Sequence, residues 1–136
     1  MTEEQKQALM KAATEALKNP YPKDTKTVYA AAVLTAKGNV YSAAQYFSDT
    51  YSLTLHGEQM ALAHAAAHGE GEIVAIACTS NEPKGEWSYP CHMCKQLLWE
   101  SRLRSGLPMR IINSDQYGRT EEYDLDEIMN LPWPRG

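Results

Sequence analysis

Apolar residues recur at helical spacing over residues 3 to 18, where Ala8, Leu9, Ala12, Ala16 and Leu17 fall near one face. Asn19-Pro20-Tyr21-Pro22 ends that helix, because proline has no amide hydrogen with which to continue the ladder. Val28 to Leu34 and Val40 to Ala44 predict two strands joined by a turn at Lys37-Gly38-Asn39. The stretch from Ser42 to Thr54 is polar and irregular. From His56 to His68 the alanine-rich run HGEQMALAHAAAH predicts a helix, with Gly69 as its C-terminal cap. Ile73 to Cys78 is a short continuous apolar run, the pattern of a strand buried on both faces. After a polar loop, Pro90 opens another helix, CHMCKQLLWESRL, that ends near Gly106. Met109 to Ile112 and Thr120 to Tyr123 predict strands, and Asp124 to Met129 a short helix before a Pro-Trp-Pro tail.

Helices and strands alternate after an initial hairpin, which predicts a mixed sheet covered by helices on both faces. No repeat, low-complexity tract or linker interrupts the chain, so one domain spanning residues 1–136 is expected. A chain of that length buries roughly two-thirds of its unfolded surface and needs no staple to build a core. The net charge of −4, with no run of basic residues, excludes a nucleic-acid backbone as the main partner. No segment approaches the roughly 18 continuous apolar residues of a membrane span. The N-terminus is acidic where a signal peptide would be basic, so a cytoplasmic location is expected. In such a reducing compartment Cys91-x-x-Cys94 favours a metal or redox role over a disulfide.

Catalytic zinc takes three protein ligands and keeps a fourth position for water. His56 offers an imidazole, and Cys91 and Cys94 offer two thiolates that together neutralise the dication. Each falls at the start of a predicted helix, where unpaired N–H groups favour negative charge and should lower the thiol pKa values. Glu58, two residues after His56, is placed to move protons rather than to ligate. The order His-x-Glu followed by Pro-Cys-x-x-Cys is the signature of zinc nucleobase deaminases, here His56-Gly57-Glu58 and then Pro90-Cys91-His92-Met93-Cys94. A lone Cys-x-x-Cys fits a redox pair or half of a structural zinc site equally well; the two halves together do not. His64 and His68 have the i, i+4 spacing of a metal pair, against which stands the plainer reading of a polar helix face. His92 reads as a solvated residue and Cys78 as a buried hydrophobe.

On these residues the chain resembles the cytidine deaminase superfamily, in particular the small free-standing cytidine and blasticidin-S deaminases. The likeness extends over nearly the whole chain: the HGEQ motif, IVAIAC, PCHMCKQ and an acidic helix near the end. It implies an α/β fold, a three-layer α/β/α sandwich around a five-stranded mixed sheet. It also implies a Zn2+ cofactor and a homotetramer whose active sites are completed by neighbours. Family members with three cysteine ligands carry Arg where this chain has Gln59; a His/Cys/Cys set is already neutral and needs no such offset.

The substrate region departs from the family. Cytidine deaminases carry Asn-Val-Glu-Asn after the second strand to hold the ribose, where this chain has Gln45-Tyr46-Phe47-Ser48. Gln45 still offers an amide, whereas Phe47 accepts no hydroxyl hydrogen. The aromatic that stacks on the base falls at Thr27, with Tyr29 two residues on. By the same resemblance, backbone groups near Gly57 and Tyr89 orient the ring, and Phe47, Trp87 and Trp133 are candidates for an apolar wall. The expected partner is a small molecule, a pyrimidine nucleoside, base or analogue such as blasticidin S. Met93 makes the cysteine motif similar to the free-base and guanine deaminases, so a free base is the rival substrate. A non-catalytic zinc-stabilised binding protein is the rival outside enzymes.

Overall fold

The computed structural model describes residues 1–83 and 89–136, so Trp87 lies outside the described residues. Thr2 starts the first helix by a reciprocal cap. Its side-chain oxygen accepts the Gln5 N–H at 3.1 Å, and Gln5 Oε1 accepts the Thr2 N–H at 2.9 Å. The helix, α1 (Glu3–Ala16), is shorter than its apolar pattern by a fraction of a turn. The Leu17 N–H reaches back to the Thr14 carbonyl at 3.2 Å, a tightened last turn that takes the chain out towards Pro20.

Strand β1 (Tyr29–Thr35) turns through Gly38 into antiparallel β2 (Val40–Ala44). Gly38 has φ +89°, a conformation that costs glycine little and other residues more. β1 pairs on its other edge, again antiparallel, with β3 (Ile73–Ser80), two residues longer than its apolar run. β3 runs parallel to β4 (Arg110–Ser114), and β4 pairs antiparallel with β5 (Thr120–Asp124). The sheet order is β2-β1-β3-β4-β5, five strands and mixed, as expected.

Side-chain alternation sorts this sheet into two faces. Ala31 and Val33 of β1 join Ile76, Cys78 and Ile111 on the face covered by α2 (Gly57–Ala67) and α3 (His92–Ser105). Ala61 and Ala65 of α2 and Leu98 and Trp99 of α3 fill that layer, and Leu125 of the short α4 (Leu125–Ile128) closes it. On the opposite face Ala32, Leu34, Ala75, Ala77 and Ile112 meet Leu9 and Ala13 of α1. The result is the α/β/α sandwich. Burying a leucine such as Leu9 or Leu98 contributes about 1.5–3 kcal/mol each and fixes both helices to the sheet.

The alanines matter as much. Ala30, Ala31 and Ala32 are all fully buried in β1, and their small side chains let helix backbones approach the sheet closely. Gly106, φ +71°, caps α3, and its N–H bonds the Arg102 carbonyl at 3.0 Å. Among the described residues, no helix is long and apolar enough to cross a membrane.

Candidate active site

Two helix starts meet beside β1. His56 precedes α2 in extended conformation, and its carbonyl accepts the first helical bond, from the Met60 N–H at 2.9 Å. Cys91 does the same for α3, accepting the Lys95 N–H at 2.8 Å. That is why α3 begins at His92, one residue later than its sequence pattern: Cys91 is the cap. Cys94 then lies in the first turn of α3. Gln59 Oε1 accepts the backbone N–H of His56 at 2.7 Å and so fixes the start of α2.

His56 Nδ1 stands 3.4 Å from Cys91 Sγ and 3.3 Å from Cys94 Sγ. These three donor atoms all lie within 4.8 Å of one another. Tetrahedral zinc with Zn–S about 2.3 Å and Zn–N about 2.05 Å would separate a nitrogen and a sulfur donor by about 3.6 Å. The donor types and the spacing both fit that ion, which would be held by His56, Cys91 and Cys94. Among the described residues this is the only cluster of three or more such donors. Cys78, the third cysteine, is fully buried against the sheet, and burial pushes its thiol well up.

Glu58 is 6% exposed and lines the same cavity. Burial raises its pKa, opposed by its hydrogen bond with Cys94 and by His56. A carboxyl raised in this way holds a proton more readily than one in water, a property suited to taking and returning one. Cys94 departs from expectation. Burial first, and then the neighbouring Glu58 charge, push its thiol up rather than down. Without a metal, desolvation outweighs the pull of the helix N-terminus. Binding a metal at Cys94 therefore releases a proton.

The cavity has a volume of about 380 Å³ and opens over His56, Glu58 and Cys91. Gln45, Phe47 and Tyr89 line it, as do Tyr29, Tyr51 and Thr54. Thr27 does not appear in that lining; Tyr29, the first residue of β1, does. The Gln45 amide is engaged with backbone, its Oε1 accepting the Tyr29 N–H at 2.7 Å and its Nε2 donating to the Thr27 carbonyl at 3.5 Å. Phe47 meets Tyr51 edge-on at 5.7 Å. Gly57 lies beneath the cavity rather than in its wall: a Cβ there would come within 3.1 Å of the β1 backbone. Trp133 is 77% exposed, its backbone carbonyl accepting a 2.8 Å bond from Gln96 of α3. Tyr51 and Thr54 were missed in the sequence because they reach the cavity through the turn after β2, a placement without local periodicity.

A buried carboxylate beside a His/Cys/Cys cluster, on an α/β/α sandwich, is an arrangement suited to metal-dependent hydrolysis. A family model of the cytidine and deoxycytidylate deaminase zinc-binding region matches residues 3–106. The fold is also that of solved cytidine deaminases. The enzyme from Burkholderia pseudomallei is similar with a TM-score of 0.82 and 24% identity, over 98% of this chain and 100% of that one. The one from Mycobacterium tuberculosis gives 0.74 and 23% identity, covering 93% and 95% of the two chains. That from Bacillus anthracis gives 0.68 and 20%, covering 93% and 88%. The chain belongs to the cytidine and deoxycytidylate deaminase zinc-binding family, and it is a zinc-dependent hydrolytic deaminase.

Proposed function

We propose that this enzyme removes the exocyclic amine of a cytosine-like ring, in cytidine, deoxycytidine or a nucleoside analogue, and that residues 1–136 act as one domain. The observation that carries this reading is that Glu58 shares one aromatic-walled cavity with His56 and Cys91, which cluster with the buried Cys94 as metal donors. His56, Cys91 and Cys94 hold the metal. Bound zinc supplies a Lewis acid that makes water a nucleophile near neutral pH. Glu58 takes one proton from the attacking water and passes it to the ring nitrogen, then takes the remaining hydroxyl proton and delivers it to the departing amine. Water adds to the amine-bearing carbon, the C–N bond breaks, and ammonia leaves as the carbonyl forms. Tyr29, Phe47 and Tyr89 supply flat apolar faces for the ring and whatever it carries. Gln45 keeps the edge of β1 in place through the Tyr29 N–H and the Thr27 carbonyl, and Gly57 lets α2 pack onto β1 beneath the cavity.

A homotetramer is part of the proposal. Tyr51, which lines the cavity, and Leu53 and Leu55 close to it in the chain are 79%, 66% and 45% exposed, apolar surface that a neighbouring copy would cover. Two thiolate ligands and the unpaired Cys78 suit a reducing compartment such as the cytoplasm.

The test is ammonia release by zinc-loaded protein from cytidine, deoxycytidine, blasticidin S, cytosine, isocytosine and guanine. Turnover of a cytosine nucleoside or its analogue is expected, and turnover of free bases alone would replace this reading. Glu58→Gln should keep the fold and the zinc yet lose release by a factor of about 100 or more. Light scattering on the same preparation reads the assembly.

A further inference from the structure

Helix α2 ends on two histidines that the deaminase site does not use. His64 and His68 are both exposed, with ring centroids 5.2 Å apart. Their spacing of four places them over one another on one helix face. His64 Nδ1 lies 3.0 Å from the carbonyl oxygen of Ser42, and His68 Nδ1 lies 2.9 Å from that of His64. A carbonyl oxygen only accepts, so each Nδ1 carries the hydrogen and donates it. In both neutral rings the free lone pair is therefore on Nε2.

That is the arrangement found in metal-ligating histidines. The nitrogen away from the metal donates to a carbonyl or carboxylate, which sets the tautomer, fixes the ring and raises the basicity of the other nitrogen. Tyr41 restrains both rings further, edge-on to His64 at 5.1 Å and tilted against His68 at 5.0 Å. The electrostatics agree. His64 is in the last turn of α2 and His68 is its C-cap, where unpaired carbonyls carry partial negative charge and favour a cation.

We propose that His64 and His68 form a second metal site, distinct from the deaminase centre, for a divalent ion of the nickel, copper and zinc group. The two Nε2 atoms ligate and water completes the coordination, imidazole being a preferred ligand for these ions. Tyr41 does not ligate, since its hydroxyl is given to Glu70. No cluster of three or more donors forms there among the described residues, so the site has two protein ligands and exchanges its ion.

Nickel is the probe, titrated by calorimetry into untagged, zinc-loaded protein. Wild type takes up about one Ni2+ per chain beyond its resident zinc. His64→Ala and His68→Ala each weaken that uptake by more than about tenfold, because losing even an outer-shell partner costs about 10–100-fold in affinity. His68→Gln, which keeps a polar side chain of similar reach, gives the same loss. His92→Ala removes the remaining histidine outside the deaminase centre and leaves nickel uptake as it was. Zinc content and ammonia release stay at wild-type values in the His64 and His68 variants. Nickel uptake that is absent in wild type, unaltered in these variants, or matched by release of zinc overturns the proposal.

Discussion

Gly57 presses on Ala30 so closely that a Cβ added to it would stand 3.0 Å from the Ala30 Cα. Both partners of that contact are backbone, and neither can rotate away. Gly57→Ala is therefore expected to lift the start of α2 from β1, at about 1–3 kcal/mol for an overpacked site. His56 and Glu58 flank the glycine and move with it. Thermal melting and zinc retention against a mild chelator should both fall; a variant that melts and holds zinc like wild type would remove the packing argument.

Gln59 acts on the same turn from the other side, holding the His56 N–H at 2.7 Å. Gln59→Ala should cost about 1 kcal/mol for the lost cap and loosen zinc without touching the ligands. Gln59→Glu keeps the acceptor and should restore retention. Zinc loss by dialysis measures both, and equal loss from the two variants contradicts the capping role.

Phe47 tests the shape of the substrate. Phe47→Glu places an acceptor on the cavity wall where cytidine deaminases carry one. The backbone there stays anchored, the Phe47 N–H bonding the Tyr21 carbonyl at 2.7 Å. A ribose hydroxyl that gains a partner is worth about 1–3 kcal/mol, so kcat/KM for cytidine should rise roughly tenfold or more relative to an analogue without the diol. Unchanged ratios across nucleosides would show that Phe47 does not govern the sugar.

Glu70 is expected to make the fold sensitive to acid. Hydrogen bonds from Tyr41, Thr35 and Asn39 hold its carboxyl down to about 2, from an ordinary value of 4.5. The folded state thus prefers the charged form, and the stabilisation is complete above pH 4.5 and lost as the pH falls towards 2. Glu70→Gln should melt earlier than wild type at neutral pH, with the gap closing as acid is added. A gap that is constant from pH 7 to pH 3 would place the acid sensitivity elsewhere.

The metal cluster was readable because its parts are local. His56-Gly57-Glu58 and Cys91 to Cys94 each fit within one helical turn, and each motif states its own chemistry. The sandwich was readable for a related reason: the continuous apolar runs of Ile73 to Cys78 and of β1 declare strands buried on both faces without reference to anything distant. The cavity wall was not. Whether Thr27 or Tyr29 faces the ring depends on where β1 begins, and that is set by Asn81, whose Oδ1 accepts the Val28 N–H at 2.7 Å. Nor does a sequence show that Gln45 is engaged by the Tyr29 N–H. Burial of Cys94 beside Glu58 is likewise a property of the assembled site, and without a metal it raises the thiol against the pull of the helix end.

His56 and Cys91 are 35 positions apart, and between them lie α2 and β3, the helix and central strand of the core. An ion that joins them makes a closed ring of that segment. Only the folded chain brings these donors together, so an ion bound there stabilises the fold by mass action. At a free concentration 100 times its Kd the gain is about 2.7 kcal/mol, a sizeable share of the stability of a small protein. Zinc supply would then set how much of this enzyme survives as well as how fast it works, and scarcity would be felt first as protein lost to proteolysis.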